Sequence, residues 1–358
     1  MLVTLEQSTN AHAQGTPVSK NGLMQRGRVD WKPDVLGANF EQTTLPLGRD
    51  NEGEVVATLV RYVPTPATSR RRYMSRRRLV AEGADVLYLH GWSDYFFQSH
   101  LAAFWAEQGA RFFALDLRKY GRSLRPGQTP GYIESLETYD ADIEAALDVM
   151  GQGTGTRSRR SLILLGHSTG GLVLSLWLSR HEGRAQALIL NSPWLEYQLT
   201  AAVRQVASRA LKISSRLEPR APVLNPDLGF YNRTLSKEKG GQWTFDEEWR
   251  PVTSFTPRAA WLEAILAGHA QVAAGLNIAA PILTLLSDRT LFATKWSEAM
   301  RSADIVIDVT TVADRAVKLG RVVTIAHLPG AVHDVFLSAP EVREMAFTDI
   351  RMWLEAYL

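Results

Sequence analysis

The chain of 358 residues contains no cysteine. Disulfide frameworks, thiolate nucleophiles and cysteine-ligated metal sites are therefore excluded, and the absence fits a reducing compartment. No apolar run approaches the roughly 18 residues of a membrane-spanning helix. The polar stretch from Met1 to Val29 also lacks the apolar segment of a secretory signal peptide. From these absences we expect a protein of the cytoplasm.

Apolar residues make up 45% of the chain and charged residues 22%, as in ordinary globular proteins. The length fits either one large α/β domain with an insertion or two average domains. The net charge is only +3, but arginine is clustered. The clusters comprise Arg70, Arg71, Arg72, Arg76, Arg77 and Arg78, then Arg157, Arg159 and Arg160. Both clusters precede predicted strands, which places them at the edge of a parallel sheet opposite its ligand site, so we expect solvated loops, with contact to acidic lipid headgroups or nucleic acid as the alternative. Aromatic residues are not strongly interleaved with the arginines, which disfavours a groove for single-stranded nucleic acid, and we expect no nucleic-acid partner.

The order of apolar segments predicts a parallel sheet. Phe40 to Leu47 and Val55 to Tyr62 are typical of a β-hairpin. Strands are then predicted at Val86–Leu89, Ala110–Leu117, Leu162–Leu165, Ala187–Leu190, Ile282–Leu286 and Val322–Ala326. Helical patterns separate them, at Leu101–Gln108, Tyr139–Met150, Leu172–Leu178, Val309–Leu319 and, last, Arg343–Tyr357. Such alternation indicates βαβ units, with helices on both faces of the sheet.

The alternation is interrupted between about residues 196 and 275, where the pattern is helical and rich in aromatic residues. We therefore predict four parts. Residues 1–30 form a polar tail, 31–195 and 276–358 form one sheet domain, and 196–275 form a helical cap inserted into it.

A nucleophile elbow is predicted at Gly166-His167-Ser168-Thr169-Gly170. The G-x-S-x-G pattern is weak alone, but it follows an apolar strand and precedes a helix, the setting in which such a turn exposes a reactive serine. Glycines are needed because strand and helix nearly touch there. The helix N-terminus next to Ser168 also favours developing negative charge. The sequence thus indicates a serine nucleophile.

Further motifs make the chain resemble the α/β-hydrolases, within them the group of monoglyceride lipases, lysophospholipases and serine aminopeptidases. The motifs are His90-Gly91-Trp92, Asp116 to Ser123, Gly166 to Gly171, Asn191-Ser192-Pro193 and Pro329 to Asp334. The resemblance implies an α/β-hydrolase fold with a mostly parallel sheet, flanking helices and an inserted cap. It also implies an oxyanion hole made by the backbone N–H groups of Trp92 and Thr169.

Chain order in this fold places the base after the nucleophile and the acid. His181, His269, His327 and His333 remain as candidates, and the turn at Pro329-Gly330 favours His333. The acid stays open between three aspartates. Asp288 lies at the end of a predicted strand, where the family's acid usually sits, but Asp304 has the setting of the monoglyceride lipase acid loop. We favour Asp304, then Asp288, then Asp308.

The resemblance implies an ester hydrolase acting through a Ser–His–Asp triad and an acyl-enzyme on small to medium acyl esters, such as monoacylglycerols or lysophospholipids. Neither metal nor cofactor is expected, and the expected partner is a small-molecule ester. Trp194 and Tyr197, at the start of the cap, are candidate substrate contacts. Two alternatives remain. The chain could be a peptidase, amidase or thioesterase that uses the same triad, or a non-catalytic binding scaffold. Oligomeric state is not indicated.

Overall fold

The structure, a computed structural model, describes residues 29–65, 79–154, 158, 160–197, 215–225 and 227–358. Trp31–Leu358 form one unit by their contacts. The predicted polar tail lies outside the described residues except for its last two positions. Eight of the nine clustered arginines also lie outside them, the exception being Arg160.

One nine-stranded sheet organises the described part of the chain. Its strands are β1 (Lys32–Asp34), β2 (Gly37–Asp50), β3 (Gly53–Tyr62), β4 (Ala84–Leu89), β5 (Arg111–Asp116), β6 (Ser161–His167), β7 (Ala187–Asn191), β8 (Ile282–Ser287) and β9 (Val323–Leu328). They lie in the order β1-β2-β3-β5-β4-β6-β7-β8-β9. The first three strands are antiparallel, as is β3 against β5, and all pairs from β5 to β9 are parallel. The predicted hairpin and parallel sheet are confirmed.

Seven α-helices are described, apart from single 3₁₀ turns. They are α1 (Ser99–Glu107), α2 (Asp140–Met150), α3 (Thr169–Arg180), α4 (Phe230–Leu235), α5 (Ala259–Ala274), α6 (Val309–Ala316) and α7 (Pro340–Tyr357). None of the helices in the described ranges is long and apolar enough to cross a membrane.

The sheet separates two apolar cores because successive strand side chains point to opposite faces. In β4, Leu87 and Leu89 join the core with α2, α3, α5 and α6, whereas Val86 and Tyr88 join the core with α1 and α7. Central strands buried on both faces explain the continuous apolar runs in the sequence.

Helix α5 lies within the stretch predicted as a cap, yet it packs against the main domain. Its Trp261 and Ile265 are buried in the same core as Leu172 and Leu176 of α3. Residues 196–275, which we call the cap segment, therefore contain one helix that supports the sheet domain directly.

The amino edge of the sheet carries the described part of the arginine clusters. Asp85, fully buried at the start of β4, accepts hydrogen bonds from Arg111 Nε at 2.7 Å and Arg160 Nε at 2.6 Å. Arg160 thus lies at the edge opposite the carboxyl ends of the parallel strands, where ligands bind in such sheets.

Candidate active site

Ser168 occupies a strained turn between β6 and α3. Its φ is 51° and its ψ is −118°, a backbone conformation that residues other than glycine seldom adopt. The Ser168 N–H donates to the carbonyl of Asn191 at 3.0 Å, so the turn is fixed to the neighbouring strand β7. Strain of this kind is typical of functional positions.

The glycines around Ser168 are required by close backbone contacts. A Cβ atom at Gly166 would lie 2.7 Å from the Cα of Gly171, and one at Gly170 would lie 2.4 Å from the carbonyl oxygen of His90. Neither position accepts a side chain without moving the strand or the helix. The G-x-S-x-G pattern is therefore explained by packing in this turn.

The turn after β4 lies against the nucleophile. A Cβ at Gly91 would come within 3.0 Å of the Ser168 Cβ. Trp92 follows Gly91, and Thr169 is the first residue of α3. Both line the same cavity as Ser168. The two residues predicted to form an oxyanion hole therefore lie near the serine, Thr169 as its neighbour in sequence and Trp92 as the neighbour of Gly91.

His333 and Asp304 are in direct contact. His333 Nδ1 lies 2.9 Å from Asp304 Oδ2, and Asp304 is fully buried. Because a carboxylate only accepts, Nδ1 carries the proton and Nε2 is left free to take one. The other oxygen, Oδ1, accepts the N–H groups of Val306 and Ile307 at 2.8 and 2.9 Å, which fixes the carboxylate.

After β8 the chain forms a loop that comes back beside its own start at Asp304. The Asp304 N–H donates to the Arg289 carbonyl at 3.1 Å, and the Leu291 N–H donates to the Asp304 carbonyl at 2.8 Å. This return places Asp304 near the end of β8, although Asp288 lies 16 positions earlier in the sequence.

The other candidate residues lie elsewhere. Asp288 is exposed, and its Oδ1 accepts the Gly330 N–H at 3.2 Å. Asp308 caps the start of α6 by accepting the Thr310 and Thr311 N–H groups. His327 is exposed, with its Nδ1 3.2 Å from the Ser287 carbonyl. Of the three aspartates, only Asp304 contacts His333.

Ser168 and His333 both line a cavity of about 430 Å³, within the range of small-molecule sites. One group of lining residues is aromatic. Trp92 and Trp261 lie 3.7 Å apart by ring centroids, Trp194 lies 6.2 Å from Trp261, and Tyr197 lies 5.7 Å from Trp194. The predicted contacts Trp194 and Tyr197 are therefore part of this aromatic wall.

A second group of lining residues is polar and was not predicted from the sequence. Arg250 Nε lies 3.1 Å from Asp94 Oδ1, and both side chains are only 6% exposed. The Arg250 guanidinium lies 5.0 Å above the ring of Tyr231, which in turn packs edge-on against His333 at 5.5 Å. Burial raises the pKa of Asp94, and the Arg250 charge opposes that rise.

Two more polar residues belong to this group. His167 lies 5.0 Å from His333 by ring centroids, and burial lowers the pKa of its imidazole, which favours the neutral form. Asn232 is 3% exposed, and within the described ranges its Nδ2 has no hydrogen-bond partner. An unpaired buried amide hydrogen favours an acceptor on a bound ligand.

The outer part of the cavity is apolar and open to solvent. The exposed large apolar residues that line it are Leu224, Leu228, Val252, Phe292 and Val306. Exposed apolar side chains gathered around one opening are typical of a binding surface rather than of ordinary protein surface.

A family profile described as serine aminopeptidase, S33, matches residues 82–338. A monoacylglycerol lipase from Mycolicibacterium smegmatis is 24% identical over 278 residues, which cover 76% of this chain and 88% of that protein. An AB hydrolase superfamily protein of Bacillus subtilis, YisY, is 31% identical over 106 residues, but the match spans only 35% of its length.

Among solved structures, the chain resembles a soluble variant of monoglyceride lipase from Saccharomyces cerevisiae in complex with a substrate analogue. The TM-score is 0.57 at 15% identity, over 92% of this chain and 94% of that one. At this level of identity the similarity establishes the α/β-hydrolase fold, which confirms the fold class predicted from the sequence.

Proposed function

Since the chain belongs to the serine aminopeptidase S33 family of α/β-hydrolases, we propose that it is a serine carboxylic-ester hydrolase. In this proposal Ser168 is the nucleophile, His333 the general base and Asp304 the acid. The substrates are small to medium acyl esters of the monoacylglycerol or lysophospholipid kind. The observation that carries the proposal is the contact of His333 Nδ1 with Asp304, because His333 lines the same cavity as Ser168.

The reaction follows from these groups. His333 Nε2 takes the hydroxyl proton of Ser168, and the oxygen attacks the ester carbonyl. Negative charge develops on the carbonyl oxygen, where the N–H groups of Trp92 and Thr169 stabilise it. The imidazolium then protonates the leaving alcohol, and an acyl-enzyme remains. Water activated by His333 releases the acid and restores Ser168.

The two groups of lining residues suggest how an ester is oriented. His333 delivers a proton to the leaving oxygen, so the alcohol is expected on the side of His333. The polar group, with Arg250, Tyr231 and Asn232, lies on that side and suits an alcohol with further hydroxyl groups. The aromatic wall around Trp261 suits the acyl chain, whose burial is favourable by about 0.8 kcal/mol per methylene.

An aminopeptidase would need an acidic group to hold the substrate amine. Within the described residues, the acidic side chains that line the cavity are Asp94 and Asp227. Asp94 is paired with Arg250, and Asp227 accepts the Gly229 and Ser254 N–H groups at 2.7 and 2.9 Å. Asp94 is thus neutralised by the Arg250 charge, and both Asp227 oxygens already accept a backbone N–H, which favours an ester over a peptide.

The first test is hydrolysis of p-nitrophenyl esters of increasing acyl length, together with labelling by a phosphonate probe. We expect turnover by the wild type, label on Ser168 by mass spectrometry, and loss of both in Ser168→Ala. Loss on the order of 10⁴-fold or more in kcat is typical for removal of such a nucleophile. Thermal unfolding of the variant checks that the fold is retained.

Substrate class is tested by comparing the monoacylglycerol and the ethyl ester of one fatty acid, alongside amino-acid p-nitroanilides. We expect a higher kcat/KM for the glycerol ester because its free hydroxyls can reach the polar group. Preferential cleavage of the anilides would instead establish a peptidase. If the wild type neither hydrolyses esters nor reacts with the probe, the proposal is contradicted.

A further inference from the structure

Ser168 and His333 belong to separate segments of the chain, and their relative position depends on contacts between these segments. Both lie in loops, one after β6 and the other after β9. The aspartate contact of His333 orients its ring, but it does not tie the ring to Ser168. Another connection between the two loops is needed if the imidazole is to stay within reach of the hydroxyl.

Asn191, the last residue of β7, makes that connection. Its carbonyl oxygen accepts the Ser168 N–H at 3.0 Å and lies 3.2 Å from His167 Nδ1. Its side-chain Nδ2 donates to Asp334 Oδ1 at 2.6 Å, and its Oδ1 accepts the Val335 N–H at 3.0 Å. One residue thus holds both the nucleophile turn and the two residues after His333.

Asp334 is held from its other side as well. Its Oδ2 accepts Gln98 Nε2 at 2.9 Å, and its Oδ1 accepts the Phe336 N–H at 3.0 Å. The Asp334 N–H donates to Tyr231 Oη at 3.1 Å. Asn191, Asp334 and Gln98 are all 0% exposed. In such a setting hydrogen bonds are strong and geometrically restrictive.

We propose that Asn191 and Asp334 are positioning residues that hold His333 over Ser168. This inference rests on the proposed function, because positioning matters only if these two residues react together. Neither side chain touches the substrate in this role. Both act through the backbone segments that carry the serine and the histidine.

The test replaces Asn191 by leucine, which has a similar volume and no hydrogen-bonding group. We expect kcat to fall on the order of 10²-fold, as for a displacement of about 1 Å in reacting groups, with KM little changed. Asn191→Ser serves as a second variant if the leucine variant does not fold, with the same direction expected.

Asp85→Asn is the matched control. Like Asn191, Asp85 is fully buried and its side chain makes several hydrogen bonds, but it lies at the opposite edge of the sheet. We expect this substitution to lower the Tm as Asn191→Leu does, with kcat unchanged. A stability loss without a rate loss in both variants would mean that Asn191 is merely structural.

The exchange variant Asn191→Asp/Asp334→Asn restores one amide–carboxylate contact in reverse. We expect only partial recovery of kcat relative to Asn191→Leu. In the exchange variant the side-chain atom of residue 334 that faces residue 191 has to donate, so it can no longer accept the Phe336 N–H. No recovery, with the fold intact, would contradict a role for this contact.

The proton on His333 Nδ1, observed by NMR, reports how the imidazole is held against Asp304, without any need for turnover. We expect its resonance in the wild type and its loss or shift in Asn191→Leu. If the wild type proves inactive toward esters, the proposed function fails while this resonance still decides the positioning role. An unchanged resonance and unchanged kcat in Asn191→Leu would overturn the inference.

Discussion

At the scale of single residues, Asp304 has two tasks that a substitution can separate. One oxygen contacts His333, and the other holds the Val306 and Ile307 N–H groups. In Asp304→Asn the amide can keep the second set of bonds while it presents the wrong partner to the imidazole. We expect kcat for ester hydrolysis to fall roughly 10⁴-fold, as is typical when the tautomer is lost.

Asp288→Asn is the control for Asp304→Asn, because Asp288 is exposed and contacts Gly330 rather than His333. We expect its rate to stay near that of the wild type. Initial rates measured at equal concentrations of folded enzyme compare the two variants. Loss of activity in Asp288→Asn with retention in Asp304→Asn would reverse the assignment of the acid.

At the scale of elements, the β2–β3 turn is tied to two other segments by Glu52. Burial alone would raise the pKa of Glu52, but hydrogen bonds from Lys119, Thr129 and Arg220 lower it to about 2. Lys119 Nζ lies 2.5 Å and Thr129 Oγ1 2.6 Å from the carboxylate. Arg220 belongs to the cap segment, so the turn links the cap segment to the sheet domain.

This link predicts a pH-dependent stability. The folded pKa lies below the ordinary value of 4.5, so the stabilisation is present above about pH 4.5 and is lost as the pH falls toward 2. We expect Glu52→Gln to lower the free energy of unfolding by about 2 kcal/mol at neutral pH. The difference in free energy of unfolding between Glu52→Gln and the wild type should disappear in acid.

Thermal unfolding of wild type and Glu52→Gln between pH 7 and pH 2 measures this effect. Glu54→Gln is the matched control, because Glu54 is exposed two residues further along the same hairpin. A constant difference between wild type and Glu52→Gln at every pH would argue against ionic contacts as its cause.

Elements built from contiguous residues were predictable from the sequence. The elbow is set by five successive residues, and the hairpin by the turn between Asp50 and Gly53. The contribution of α5 was not predictable, because its apolar residues suit a separate cap core as well as the core beneath Leu172. Only the packing partner distinguishes the two, and the sequence does not specify it.

At the scale of the whole molecule, the two faces of the sheet have separate cores, and only one edge of the sheet carries the candidate site. Trp353 of α7 is 6% exposed in the core with α1, and its Nε1 donates to Thr324 Oγ1 at 3.1 Å. We expect Trp353→Ala to cost about 3–5 kcal/mol of stability and to leave kcat per folded molecule unchanged.

Met352→Ala is the control for Trp353→Ala, because Met352 is the preceding residue and is 58% exposed. We expect it to change stability by no more than about 0.5 kcal/mol. Urea unfolding and esterase rates at 25 °C measure both quantities. A large fall in the kcat of folded Trp353→Ala would show that this core and the site are coupled.

The parts of the site that could not be predicted from the sequence depend on contacts between distant parts of the chain. Ser168 and His333 were predicted as site residues from local turns and from chain order, and both line the same cavity. The ion pair of Asp94 and Arg250 joins residues 156 positions apart, and the bond from Asn191 to Asp334 joins residues 143 apart. No local pattern indicates either contact, because each depends on how loops from separate strands meet above the sheet.

Asp304 and His333 come late in the sequence, long after Ser168, and this order determines when during synthesis the site can form. A polypeptide emerging from the ribosome would expose the Ser168 turn first, long before residues 304 and 333 have been synthesised. On the proposed assignments, a partly made chain holds a serine without a base to activate it. Hydrolytic capacity would then arise late in biosynthesis, when the sheet is nearly complete.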